Sequence, residues 1–547
     1  MLEIRKNWKL YLVCSLLGAI SFLAIFGVEI LNPLNDGWLL GEGSDLTQHY
    51  IGWIAFRQSA WTFPIGCTDN LAYPFQTSVI FTDSIPLLAV IFKLFSPILP
   101  ETFQYFGIYG LGCYILQAFL ASLILKKYLV CKIDIVLGSM FFVFSPVMLA
   151  RMYYHTSLSS HFLILLTILS LVYYEEVFSG TANALKLSAL TAFLASSIHI
   201  YLLAMCAMIW CAYCVLDILK TKKVYRSASV ILIFGVISFV TVWILGGLNG
   251  VFAPGRGGLG NYGLNLNAFF NSQGNSAVLT GMKLPDIDVT EGYAYLGTGM
   301  LLLLVFDVVM ALCNTGTVAI MMKQSREKVI AIVLLMTGAF AFCVLPVVYL
   351  NDKLVLEVNF PDYIQKLWSV FRATGRFSWI MYYICFLFVI TFSFLVRKQK
   401  KGVLTFALAV LLVVQLYDIS PQIMQKRAGV ESWNQEKIVL SDLRWNEIAQ
   451  SGQVKHVYFG FSDMEFDVIY PVTEWAVTNG MTVNRFYFAR SLDKEAVADM
   501  LGEALWEKAE DSIFVFRTED KEFCESNGFS YVVTEENLLL AGKTVKN

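Results

Sequence analysis

Charge is what this sequence has least of. Only 15% of its 547 residues are Asp, Glu, Lys or Arg, and 57% are hydrophobic. Ordinary globular domains carry about 25% charged residues, so much of this chain must meet lipid rather than water. Cysteine spacing of the metal-binding kind is also missing. Cys14, Cys113, Cys206 and Cys343 lie in apolar stretches as small hydrophobes, and the Cys211/Cys214 pair sits inside an apolar run. Cys67 and Cys524 fall in segments expected outside the membrane, where pairing in an oxidising space is open. No internal repeat is evident. The GRGGLG string at 255–260 has no strand before it and no βαβ helix after it, so it fails as a dinucleotide fingerprint. The first apolar run has no small-residue cleavage site and is longer than a signal-peptide core, which marks it as a retained span.

What the chain has in abundance is apolar runs near the length of a membrane-crossing helix, about 20 residues. They cover roughly 10–31, 103–125, 133–150, 158–176, 184–200, 201–219, 228–248, 295–321, 328–350, 377–396 and 402–418. Basic clusters sort the two sides. These are Arg5, Lys6 and Lys9; Lys126, Lys127 and Lys132; Lys220, Lys222, Lys223 and Arg226; Lys323, Arg326 and Lys328; and Arg397, Lys398, Lys400 and Lys401. All fall on one side if there are eleven spans and a cytoplasmic N-terminus. The stretch 84–98 is apolar but short, with Lys93 in its middle; counting it would break the rule, so it reads as a helix on the outer membrane surface. The expectation is a polytopic α-helical protein of the plasma membrane. Residues 1–418 form its transmembrane domain, with a large first external loop at 32–102. Residues 419–547 form a small extracytoplasmic α/β or α+β domain. In that tail HVYFGF, FDVIYPV, SIFVFRT and YVVTE read as strands, and EAVADMLGEALWEKA reads as a helix.

The external segments carry the residues suited to chemistry. In GSDLTQHYIGW, Asp45 and His49 are four apart on one helical face. A carboxylate at the water boundary suits a general base that deprotonates a hydroxyl, and it equally suits a helix N-cap. Asp83, in FTDSIP, stands where it would start the surface helix, with capping again the plain alternative. Arg151, His155 and His161 share the external turn ARMYYHTSLSSHF, where ionisable groups at membrane depth are costly and usually functional; Arg151 alternatively snorkels to headgroups. No acid lies in that turn, so a carboxylate-bound divalent metal is unsupported. Glu291, in VTEGYAYLG, faces the same compartment. Arg372 and Arg376, in FRATGRFSW, are four apart, so two guanidiniums would face one way and bind phosphate bidentately, lipid headgroup anchoring being the alternative.

The order of these features resembles the GT-C superfamily of integral-membrane glycosyltransferases. GSDLTQHYIGW, FTDSIPLL, EGYAYLG and FRATGRFSW look like an uncharacterised bacterial branch of it. The resemblance implies an inverting glycosyltransferase that passes a sugar from a polyprenyl-phosphate donor to a glycan or glycolipid acceptor of the cell envelope. Its partners are then membrane lipid, donor and acceptor, with no nucleic acid. Under the resemblance Asp45 is the catalytic base, Arg372 or Arg376 holds the carrier phosphate, and Arg151 and His155 occupy the second-loop position. His49, Asp83, His161 and Glu291 complete the candidate substrate-binding set. A second acid two residues from Asp45 is lacking, and this favours a metal-independent enzyme with no cofactor. A transporter or flippase of a lipid-linked substrate, and a non-catalytic GT-C-like envelope protein, are the competing readings.

Overall fold

A computed structural model of the chain describes residues 4–250, 252, 260–396, 401–460, 464–490, 492–507 and 510–542. Most of the GRGGLG string and the basic residues Arg397, Lys398 and Lys400 lie outside them. Among the described residues, seven helices are long and apolar enough to cross a membrane: Arg5–Phe26, Phe106–Leu125, Lys132–Arg151, Ile200–Thr221, Val224–Ile244, Arg326–Val344 and Thr374–Val396. Two further pairs pass the same test but are bent, Thr298–Cys313 with Thr315–Gln324 by 96° and Gly402–Asp418 with Ser420–Trp433 by 47°. The count is therefore seven, or nine with each bent pair as one span, against the eleven expected. The run 158–176 yields only a short apolar helix that breaks into a π turn at Tyr174–Phe178, around the two acids Glu175 and Glu176. The chain is a helical membrane protein of the multi-pass kind.

By contacts the chain divides into two compact units. One comprises residues 1–29, 106–239 and 255–428, and the other 30–105, 240–254 and 429–547. The division expected from sequence follows the chain at residue 418; the units follow contacts, and the expected first loop falls in the same unit as the tail.

The first unit is helical. Arg5–Phe26 packs on Phe106–Leu125 through Gly18, where a Cβ would lie 2.6 Å from the Tyr114 carbonyl oxygen. Small residues at such crossings let membrane helices approach closely. Basic residues from three loops collect around one acidic pair. Lys220 and Lys328 reach Glu175 at 2.9 and 3.3 Å, and Lys127 pairs with Glu176. Those three loops therefore share one end of the unit.

The second unit carries a five-stranded mixed sheet. Its order is Thr482–Val483, His456–Phe459, Ser512–Arg517, Leu538–Ala541, Tyr531–Val533, with the first three parallel and the last two antiparallel to their neighbours. Tyr458, Phe514 and Phe516 of the sheet bury against Met500 and Leu501 of the helix Lys494–Glu507 and against Cys524. FDVIYPV is not the expected strand: Phe466–Thr478 is a helix. Its buried side chains Ile469, Tyr470, Thr473, Ala476 and Val477 recur at intervals of three and four, the helical period. That face packs on the helix Asp45–Gln58. Cys67 and Cys524 do not pair; both are free and buried, Cys67 on a two-residue strand and Cys524 in the core of the sheet. The expected surface helix is Pro86–Leu94, and its Lys93 turns inward. Lys93 donates to Ser59 Oγ at 3.0 Å and stands over the rings of Phe56 and Trp61 at 4.0 and 4.7 Å. Burial pushes its pKa down to about 8.

Candidate functional site

In the helical unit, three chain segments meet where spans end. Arg151 is the last residue of the span Lys132–Arg151, and Arg376 stands near the start of Thr374–Val396. Glu291 sits on a single turn, Thr290–Gly292, shortly before the helix Thr298–Cys313. Glycine makes the meeting sterically open. A Cβ on Gly375 would lie 2.6 Å from Gly292 Cα, and one on Gly292 would lie 2.6 Å from the Gly263 carbonyl oxygen. Only glycine allows backbones this close.

The result is a buried cluster of arginine, glutamate and arginine. Arg376 Nε donates to Glu291 Oε2 at 2.6 Å, and Arg151 Nη1 reaches the same oxygen at 2.8 Å. Arg151 Nη2 also donates to the Glu291 carbonyl at 3.1 Å. His155 Nε2 lies 3.8 Å from the other carboxylate oxygen. The guanidiniums are backed by rings, Arg376 over Tyr201 at 4.8 Å and Arg151 over Trp379 at 5.7 Å. Burial by itself would raise the Glu291 pKa. Arg151, Arg376 and His155 overcome it and hold the carboxyl well below its ordinary range. Two fixed cations face one fixed anion, so the cluster keeps one positive charge in surplus. Such a centre suits a phosphate or other anion.

The structure separates residues that the sequence grouped. Arg372 and Arg376 do not face one way. The backbone bends through Phe371–Ala373 and turns helically only from Thr374, so their four-residue spacing is not one helical turn. Arg372 is exposed and stands over Tyr262 at 5.0 Å, while Arg376 is 8% exposed. His161 bonds to Tyr383, its Nδ1 2.6 Å from that hydroxyl, and its ring, 4.4 Å from Trp379, meets the same indole that backs Arg151. The acid missing from the Arg151–His161 turn is supplied from 140 residues away by Glu291, which no local pattern reveals.

In the second unit, Asp45 opens the helix Asp45–Gln58 and is half-buried. The cap of that helix is Glu42: its Oε2 accepts from the backbone N–H groups of Ser44 and Leu46 at 2.9 and 3.0 Å. Ser44 makes no side-chain cap bond. His49 lies on the same helix and is buried, as are Trp53 and Phe56. The N-cap position of the Pro86–Leu94 helix is Ile85 rather than Asp83, and Ile85 makes no side-chain cap bond. Asp83 instead takes a left-handed backbone, φ 52°, which Asp tolerates better than most residues. Its neighbour Ser84 donates to the His49 carbonyl at 2.6 Å, tying this turn to the helix of Asp45. Among the described residues, no group of three or more His, Cys, Asp or Glu side chains is arranged to hold a metal ion.

Fold and site together define a multi-pass helical membrane protein with a cationic, arginine-rich cluster at the ends of its spans. A family model described as a domain of unknown function, DUF6311, matches residues 15–420, and one for the DUF6311 C-terminal domain matches residues 444–538. The chain belongs to the DUF6311 family. No curated protein matches it.

Proposed function

We propose that this protein transfers a sugar from a polyprenyl-phosphate donor to a cell-envelope glycan or lipid acceptor at the outer face of the membrane. The observation that supports this reading is the convergence of Arg151 and Arg376 on Glu291 where spans end, with positive charge in surplus. A lipid-borne phosphate travels at that depth, and its charge grows as it departs. Fixed guanidiniums in a water-poor setting stabilise developing charge without reorganising. In the proposed step the bond between the sugar anomeric carbon and the phosphate oxygen breaks as the acceptor oxygen bonds to that carbon. The acceptor proton passes to a carboxylate base, for which Asp45 is the candidate offered by the sequence, and the phosphate leaves on its lipid. Glu291 holds the two guanidiniums in register rather than touching the sugar.

The test is transfer in membranes supplied with radiolabelled polyprenyl-phosphate sugars. Asp45→Asn and Arg376→Ala should each cut incorporation by about 100-fold or more while expression is retained. Unchanged envelope glycosylation in the Asp45→Asn strain would overturn the reading.

A further inference from the structure

The second unit contains a pocket that the transfer step leaves unused. Leu40, Ile438, Phe466, Asp467, Tyr470 and Glu474 are among its lining residues. Phe466 is exposed, and its ring stacks on Tyr470 at 5.0 Å and 11° and meets Tyr487 edge-on at 4.9 Å. Tyr470 is only 3% exposed, yet its hydroxyl has no hydrogen-bond partner among the described residues. A buried hydroxyl of this kind costs free energy unless something bonds to it. Glu474, on the pocket wall, is held by Lys437 at 2.9 Å, which fixes a carboxylate acceptor there.

The chemistry of the wall selects among ligands. A phosphate is disfavoured, because Asp467 and Glu474 line the pocket while Lys437 is already engaged. A metal ion is disfavoured, because no three acidic, His or Cys ligands gather among the described residues. A hydrocarbon would leave the Tyr470 hydroxyl and the Lys437–Glu474 pair without use. A pyranose ring meets every element: its C–H face packs on an aromatic ring, and its hydroxyls both donate and accept. We propose that this pocket binds a saccharide, stacked at Phe466 and hydrogen-bonded by Tyr470, Asp467 and Glu474. This binding does not rest on the transfer reaction proposed above.

The experiment measures binding of the full-length, detergent-solubilised protein to an array of neutral, amino and acidic oligosaccharides, without donor lipid. Wild-type protein should be retained by a subset of glycans. Phe466→Ala should bind about tenfold more weakly, the loss of roughly one stacking contact. Tyr470→Phe keeps the ring and removes only the hydroxyl, and it should also weaken binding while leaving the melting temperature near that of wild type. Retention by no glycan, equal retention of all three proteins, or preferential binding of spermidine or phosphocholine would each overturn the proposal. Arg376→Ala distinguishes the two readings. Glycan binding that persists in this variant while transfer is lost supports both; glycan binding in a protein with no transfer at all leaves the pocket standing and removes the enzyme.

Discussion

Arg376 donates through Nε to Glu291 Oε2 at 2.6 Å, in a site where the Arg376 side chain is 10% exposed and that of Glu291 11%. The same oxygen also takes Arg151 at 2.8 Å, so one carboxylate holds two guanidiniums and compensates the charge of only one. Removing one member of a buried ion cluster leaves uncompensated charge, typically at a cost of about 3–5 kcal/mol. Glu291→Ala should therefore lower the melting temperature of the detergent-solubilised protein strongly. Adding Arg376→Ala to it should recover part of the loss, since the second change removes one of the stranded cations. A double variant whose destabilisation equals the sum of the singles would show that the three groups are not coupled.

The two arginines of FRATGRFSW should behave differently. Arg372 is exposed over Tyr262, a cation–π contact worth roughly 0.5–1 kcal/mol at exposed sites. Arg372→Ala should then leave both stability and transfer close to wild type. Arg376→Ala should reduce transfer by about 100-fold, the scale on which single charge-stabilising donors act. Arg376→Lys should not restore it, because lysine is a point charge and cannot reproduce the planar fork. Transfer assays on the three variants in parallel membranes provide the check; a larger loss for Arg372→Ala than for Arg376→Ala would move the phosphate site to the surface.

Under the proposed transfer, Asp45 and Glu42 divide two jobs that a single acid near a helix start often combines. Glu42 accepts from two backbone N–H groups at the first turn of Asp45–Gln58. Loss of a cap costs about 0.5–2 kcal/mol, so Glu42→Gln should lower thermal stability modestly and spare most of the transfer. Asp45→Asn should do the reverse, cutting transfer by at least about 100-fold, the lower scale of general base catalysis, with melting little changed. Matched melting and transfer measurements on both variants decide it. Equal loss of stability in Asp45→Asn would return Asp45 to a purely structural role.

The sequence made most of the spans legible because each is a long local apolar run, but apolarity alone counted eleven where seven helices qualify among the described residues, or nine with each bent pair as one span. It also marked Asp45, Arg151, Glu291 and Arg376, since charge beside such runs is conspicuous. What joins these residues was hidden. Glu291 reaches Arg151 across 140 residues through a contact of Gly292 with Gly263 and Gly375, and glycine carries no chemical label for such a contact. FDVIYPV failed for another reason. Its β-branched and aromatic residues suit a strand, but burial against the helix Asp45–Gln58 follows the three-to-four-residue spacing of Ile469, Thr473 and Ala476. Tertiary packing overrides intrinsic preference in this way. The bend before Thr374 likewise undid the helical pairing of Arg372 with Arg376.

Lys93 gives a pH dependence with a definite sign. Burial lowers its pKa from 10.5 to about 8 in the folded protein. Between those values the unfolded chain holds the proton that the folded chain has released, so stability rises with pH across this window. Below about 8 both states are protonated and the contribution is flat. Melting of the wild-type protein and of Lys93→Met at pH 7, 9 and 10.5 isolates the effect, because all other titrating groups are shared. The difference between the two proteins should narrow, in favour of wild type, as pH rises from 8 to 10.5. A pH-independent difference would mean that Lys93 titrates as it does in the unfolded chain.

Gly375 supplies the most direct test of how the arginine–glutamate cluster is built. A Cβ there would stand 2.6 Å from Gly292 Cα, with the Gly263 carbonyl oxygen 3.0 Å away. Both are backbone atoms, so no side-chain rotation relieves the clash and the two loops must separate. A shift of even half an ångström at these loops moves Glu291 relative to Arg376, whose bond is 2.6 Å long. Overpacking of a close contact costs typically 1–3 kcal/mol, and Gly375→Ala should lower the melting temperature accordingly. Its effect on transfer should exceed what its stability loss predicts, because phosphate recognition depends on where both guanidiniums sit. Gly338→Ala provides the control, since open space surrounds that glycine and alanine favours helix there by about 1 kcal/mol. If Gly375→Ala melts and transfers like Gly338→Ala, the close approach of the two loops is not what holds the cluster together.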